Sequence, residues 1–178
     1  MILLRWIAMS IFVCSMLGAC ASPPEPRSAY NDGVAAYRAK DYASARTAWQ
    51  KAVSEGNTSA MNNLGYLLSR GLGGERDEAG AARFWTTAAM QGHSEAALHL
   101  GAAYEKGRGV SKSDVAAYAW YTCAVASARA ASPDDDVEED ILKDANDALS
   151  TLMAAFPPEH FEAAQKLAQQ YLQTYARK

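Results

Sequence analysis

The sequence predicts an all-α protein built from repeated helix pairs, and two observations support that prediction. Alanine accounts for 37 of the 178 residues, whereas valine and isoleucine together account for 11. Alanine is the best helix former and β-branched residues favour strands, so this imbalance disfavours a β-rich fold. The second observation is that leucine, glycine and aromatic positions recur at an offset of 36 residues. A fixed period of this length is typical of a solenoid of helix pairs.

The amino-acid composition disfavours several classes of protein. Charged residues make up 21% of the chain and apolar residues 49%, which indicates a folded body rather than a disordered or integral membrane domain. The net charge of -3 gives no electrostatic reason to expect nucleic acid as a partner. We therefore expect one compact domain or one short repeat array.

Residues 1–19 are predicted to be a lipoprotein signal peptide. Arg5 supplies a positive charge, and the apolar run at residues 6–17 is too short to span a bilayer. The run leads into L-G-A-C at residues 17–20, which resembles a bacterial lipobox. The resemblance implies cleavage before Cys20 and attachment of lipid to that cysteine. Ordinary signal-peptidase cleavage is the alternative, because small residues also flank Cys20.

Residues 20–28, rich in proline, are predicted to tether the body to this anchor. Several acyl chains on one cysteine make a stable membrane anchor. No aspartate follows Cys20, which resembles the outer-membrane sorting pattern. We therefore expect a lipid-anchored protein of the cell envelope with its body in the periplasm, held at the outer membrane. A soluble periplasmic or secreted protein is the alternative.

Three repeat units are predicted in the body, over residues 29–57, 58–93 and 94–131. The matches at an offset of 36 residues are a Leu-Gly pair, a turn glycine and an aromatic pair: Leu64-Gly65 with Leu100-Gly101, Gly71 with Gly107, and Phe84-Trp85 with Trp120-Tyr121. Gly65 and Gly101 lack a Cβ and permit close approach of a neighbouring helix, while Gly71 and Gly107 permit positive φ where a helix ends. The aromatic pairs, with Trp85 and Trp120, are expected to fill the space between units.

These motifs resemble the Sel-one-like repeat, a relative of the tetratricopeptide repeat. The third unit carries the pattern as A-L-H-L-G-A-A-Y from residue 97, G-R-G-V from residue 107, and a W-Y pair within residues 117–124. The second unit is degenerate, and the first has a short turn that is more tetratricopeptide-like. The resemblance covers about residues 30–130. It implies a right-handed α-solenoid with about eight helices in the mature chain.

Residues 132–178 are predicted to form a helix pair that caps the solenoid. Ser132 and Pro133 suit the start of a helix, and Pro157-Pro158 interrupts the helical pattern. Apolar residues recur at helical spacing on both sides of that break. Such a pair would seal the open end of the array, as terminal repeats must.

No catalytic or metal-binding constellation is recognisable. The sequence has no H-E-x-x-H, G-x-S-x-G or phosphate loop, and His93, His99 and His160 share no ligand spacing. We therefore predict no catalytic residue, metal ligand, cofactor or small-molecule substrate. The enzymatic alternative is a β-lactam-binding or hydrolysing protein like the cysteine-rich relatives of these repeats. Those relatives carry a cysteine pair per repeat, whereas Cys123 is matched by Thr87.

The resemblance also implies a concave face, lined by the first helix of each unit, where peptides bind. Carried over by position, the predicted partner-binding residues are Asn62, Tyr66, Ser69, Arg70, His99, Glu105 and Lys106, and the first unit adds Tyr30, Val34 and Tyr37. Asn62 is expected to make bidentate contacts with a peptide backbone, and Tyr66 to act as an amphipathic anchor. For any one of these residues the alternative is a solvated helix position.

The leading hypothesis for function is a non-enzymatic protein–protein interaction scaffold, anchored by lipid in the bacterial cell envelope. Its partner would be a protein or peptide, and its lipidated amino terminus would hold it at the membrane. A self-associating structural envelope protein is a further alternative.

Overall fold

A computed structural model describes residues 28–131 and 136–175. These residues form eight α-helices and one short 3-10 turn, and no strand occurs among them. The helices are α1 (Ala29–Arg38), α2 (Tyr42–Ser54), α3 (Thr58–Arg70), α4 (Glu78–Ala89), α5 (Ser94–Lys106), α6 (Asp114–Ala130), α7 (Asp136–Ala154) and α8 (Phe161–Tyr175). The predicted all-α solenoid of helix pairs is confirmed. The predicted signal peptide, Cys20 and the expected helix start at Ser132 lie outside the described residues.

Consecutive helices pack as hairpins. Helix α1 lies against α2, α3 against α4 and α5 against α6, while α2 contacts α3 and α4 contacts α5. Each pair therefore buries its apolar face against the next pair, which is how a solenoid obtains a continuous core. Helix α6 then packs against both α7 and α8, and α7 also contacts α5. No helix in these parts of the chain is long and apolar enough to cross a bilayer.

Side-chain caps begin the repeat helices. Asn57 Oδ1 accepts the Ala60 N–H (2.8 Å) at the start of α3, and His93 Nδ1 accepts the Ala96 N–H (3.4 Å) at the start of α5. Such caps satisfy backbone donors that have no partner within the helix. Burial lowers the pKa of His93, and this favours the neutral imidazole that can accept that hydrogen bond. Helices α3 and α5 end at left-handed glycines, at φ 68° and 65°.

An aromatic ring on the second helix of each pair lies against a glycine on the first. A Cβ added to Gly65 would come within 2.6 Å of Trp85 Nε1, and one added to Gly101 within 2.5 Å of Tyr121 Cδ1. The Trp85 indole also donates to the Asn62 carbonyl oxygen (3.2 Å). Glycine is unfavourable within a helix, so its presence at these two positions is explained by the space that the packed rings need.

The third pair uses its aromatic residues for two different contacts. Tyr121 lies on Gly101, whereas the ring of its neighbour Trp120 lies against Tyr171 of α8, with ring centroids 4.5 Å apart. Trp120 thus joins the repeats to the last helix. In α7, Ile141 is buried, whereas Val137 is 63% exposed.

Candidate functional site

The first helices of the three pairs line a groove that consists of two adjoining cavities. The first, which we call the aromatic cavity, has a volume of about 400 Å³ and is lined by Tyr30, Val34, Tyr37, Arg38, Trp49, Asn62, Asn63, Tyr66 and Glu95. The second, the basic cavity, has a volume of about 370 Å³ and is lined by Tyr66, Ser69, Arg70, Arg76, Glu78, Trp85, His99, Ala102, Ala103, Lys106 and Arg108. Tyr66 belongs to both cavities and lies where they meet.

The basic cavity concentrates positive charge. Four cationic side chains line it, against the single carboxylate of Glu78, which forms an ion pair with Arg76. Arg70, Lys106 and Arg108 form no ion pair with any described residue. The guanidinium of Arg70 lies 5.6 Å from the centre of the Tyr66 ring, a distance suited to a cation–π contact. A chain of net charge -3 therefore presents a locally positive surface here.

Glu95 connects the two cavities. Its Oε2 accepts a hydrogen bond from Asn62 Nδ2 (2.8 Å), and its Oε1 lies 3.6 Å from His99 Nε2. The interaction with His99 is the main reason that the pKa of Glu95 lies below its usual value, against the opposing effect of burial. The carboxylate is therefore charged at neutral pH and is held in place by neighbours from two helices.

Aromatic rings form much of the groove floor. The His99 ring lies 5.0 Å from the Trp85 ring and 6.3 Å from the Tyr66 ring, between centroids. In the aromatic cavity, the Tyr37 and Trp49 rings lie 5.7 Å apart. Burial and the neighbouring Tyr66 raise the pKa of Tyr37, so its phenol is neutral at any physiological pH. The half-buried Tyr37, Tyr66 and His99 rings offer surface with fixed orientation, whereas the Trp49 and Trp85 rings are buried.

The structure brings most of the predicted partner-binding residues together. Tyr66, Ser69, Arg70, His99 and Lys106 line the basic cavity, and the first unit's Tyr30, Val34 and Tyr37 line the aromatic cavity. Glu105 lines neither cavity. Its carboxylate instead accepts a hydrogen bond from the Tyr121 hydroxyl (2.6 Å), which ties α5 to α6.

Asn62 lines the aromatic cavity but differs from expectation. Its side chain is only 2% exposed, and its amide nitrogen already donates to Glu95. This burial and the bond to Glu95 disfavour the expected bidentate contact with a peptide backbone, which stays a prediction. Asn62 acts to position Glu95.

The groove also contains residues that the sequence did not single out for the site, among them Glu95, Arg76 and Arg108. Glu95 carried a weak signal, since it precedes His99 by four residues and shares its helix face. Arg76 and Arg108 lie in the turns that follow α3 and α5. Because turns have no helical periodicity, the sequence does not indicate where these two side chains point.

The described side chains show no arrangement for nucleophilic or metal chemistry. The Ser69 hydroxyl donates to the Tyr66 carbonyl oxygen (2.8 Å), so it is not directed at the His99–Glu95 pair. Over residues 28–131 and 136–175, no group of three or more His, Cys, Asp or Glu side chains could hold a metal ion. The geometry suits recognition of another molecule through charge and aromatic surface.

Comparison with protein families finds the Sel1 repeat, in two consecutive stretches at residues 58–93 and 94–127. The first helix pair lies outside both stretches, in keeping with its shorter turn. Comparison with curated proteins gives no match. Residues 58–127 are therefore similar to two consecutive Sel1 repeats and lie within a larger array of helix pairs.

Two solved structures are similar over most of the chain. One is a protective antigen present in uropathogenic Escherichia coli strains that displays an SLR fold, with a TM-score of 0.70 and 27% identity over 84% of this chain and 31% of that one. The other is a Sel1 repeat protein from Oxalobacter formigenes, with a TM-score of 0.59 and 28% identity over 80% of this chain and 55% of that one. The chain thus spans about a third and about half of these two relatives.

Proposed function

We propose that this protein is a non-enzymatic scaffold whose groove binds a segment of a partner protein. The observation that carries the proposal is the pair of adjoining cavities on the first helices, where aromatic rings and unpaired cations face outward together. Aromatic and arginine side chains together are typical of protein interaction surfaces. Sel1 repeats, which commonly occur in interaction scaffolds, support the same function.

Site-specific photo-crosslinking in intact cells tests this proposal. A photoreactive amino acid placed at Ser69 lies in the groove, whereas one placed at Thr87 is exposed on α4 outside both cavities. We expect a discrete crosslinked protein from position 69 that is absent from position 87. The additional substitution Tyr66→Ala should remove it, because Tyr66 belongs to both cavities. Identical products from both positions, or none from position 69, would reject the groove as the binding site.

We further propose that Cys20 carries lipid and holds the scaffold at an envelope membrane. The support is the L-G-A-C segment at residues 17–20 and the proline-rich stretch that follows it. Palmitate labelling of the natural protein and of Cys20→Ala tests this directly. Loss of the label and of membrane association in the variant is expected. Equal labelling of both proteins would exclude Cys20 as the lipidated residue, and no label on the natural protein would leave an unlipidated periplasmic or secreted protein instead.

A further inference from the structure

We infer that the groove selects an extended, acidic peptide segment with an aromatic or large apolar side chain about three residues from its acidic group. The inference rests on the proposed function and specifies the chemistry of the partner. It assigns the acidic group to the basic cavity and the apolar side chain to the aromatic cavity.

The first step concerns charge in the basic cavity. Arg70, Lys106 and Arg108 approach the same space without a carboxylate partner among the described residues. Guanidinium groups bind carboxylates through two parallel hydrogen bonds, and such charge-assisted bonds are about twice as strong as neutral ones. A neutral or basic segment would bring no compensating charge to this cavity. An acidic segment is therefore the complementary occupant.

The second step concerns the aromatic cavity. Its walls include the half-buried Tyr30, Val34 and Tyr37, which present apolar area, and the one cation among its lining residues is Arg38. Its one carboxylate, Glu95, is already engaged by Asn62 and His99 and keeps its negative charge. That charge disfavours a second acidic group here and leaves the cavity to an apolar side chain. The two cavities therefore differ in net charge, because Arg38 and Glu95 offset each other in the aromatic cavity. In the basic cavity four cations outnumber one carboxylate, and this difference orients the segment along the groove.

The third step concerns spacing. The cavities meet at Tyr66, and on α3 their lining runs from Asn62 to Arg70, about 12 Å along the helix at about 1.5 Å per residue. An extended chain advances about 3.3 Å per residue. An aromatic side chain and an acidic group about three residues apart would therefore reach both cavities together. Tyr66 would lie beneath the backbone between them.

The test measures fluorescence anisotropy of a rhodamine-labelled peptide with the symmetric core Glu-Glu-Ser-Phe-Ser-Glu-Glu, so that either chain direction satisfies the spacing. The full chain is purified in a non-ionic detergent. We expect the acidic peptide to bind at least about tenfold more tightly than the same peptide with glutamine for glutamate, and more tightly than the peptide with alanine for phenylalanine. Added salt should weaken binding of the acidic peptide.

Matched variants separate the groove from the overall charge of the protein. Arg70→Gln combined with Lys106→Gln should weaken binding by at least about tenfold. Lys51→Gln combined with Arg129→Gln removes the same charge from exposed positions outside both cavities and should leave affinity nearly unchanged. Equal effects of the two pairs, equal affinity for the glutamine peptide, or no binding of the acidic peptide would overturn the inference. The crosslinking at Ser69 would still decide independently whether the groove binds a protein.

Discussion

Substitution of Gly65 by alanine should destabilise the protein, although alanine is the better helix former. In an open helix the change would gain about 1 kcal/mol. Here the new Cβ would lie 2.6 Å from Trp85 Nε1 and 2.9 Å from Cδ1, well inside normal contact. The ring cannot move away freely, because it is buried and its Nε1 donates to the Asn62 carbonyl oxygen.

The opposing contributions set the size of the effect. Overpacking a well-packed site costs about 1–3 kcal/mol, and losing the indole hydrogen bond costs about 1 kcal/mol more. Subtracting the gain in helix propensity leaves a net loss of about 2 kcal/mol. This is a large fraction of the stability of an ordinary domain.

Urea unfolding followed by circular dichroism measures this loss. Ala35→Gly, at an exposed position within α1, serves as the control for helix propensity and should cost about 1 kcal/mol. In a Trp85→Leu background the same Gly65→Ala change should become neutral or stabilising, because the opposing ring is gone. If Gly65→Ala instead stabilises the natural protein by about 1 kcal/mol, the ring contact does not determine the residue at this position.

Three further outcomes follow from the caps and the packing of the last helices. Burial lowers the pKa of His93 below its usual 6.5, so the unfolded chain binds this proton more readily than the folded protein, and stability falls as the pH drops below that value. The substitution His93→Asn copies the cap that Asn57 provides and has no titrating side chain. It should therefore reduce the loss of stability that urea unfolding measures between pH 7.5 and pH 5.5. Trp120→Ala should cost about 3–5 kcal/mol and expose α8 to proteolysis, and an unchanged melting temperature would argue against this packing. Glu138→Gln weakens the acceptor of the Ser94 hydroxyl (2.9 Å) and should speed hydrogen exchange in α7, whereas unchanged exchange would show that this bond does not hold the helix.

The repeated helix pairs could largely be predicted from the sequence, because they depend on the spacing of residues along the chain. The offset of 36 residues places Gly65 and Gly101 at equivalent positions, and the structure sets both against aromatic rings. The same offset missed Gly33, which lies against Trp49 in the first pair. The first pair has a shorter turn, so Gly33 precedes Gly65 by only 32 residues. A change in loop length thus concealed an equivalent contact.

Only some of the residues that line the groove could be predicted from the sequence. Helical position identified Tyr66, Arg70 and Lys106, because residues on one face of a helix repeat at known intervals. It also suggested Glu105, which instead bonds to Tyr121 in the next helix. A helix face is broad, and only the packing of the neighbouring helix decides which side chains on it remain open.

Composition and repeat register together determine that this chain is an array of helix pairs, since alanine and glycine at fixed intervals permit close stacking. Only the tertiary structure decided that Asn62 on α3 holds Glu95 on α5, a pairing across 33 residues of sequence. It also decided that Arg76 and Arg108, from two turns, share one cavity with Arg70. The physical reason is that charge and hydrogen bonding act through space, and distances through space between separate helices are set by packing.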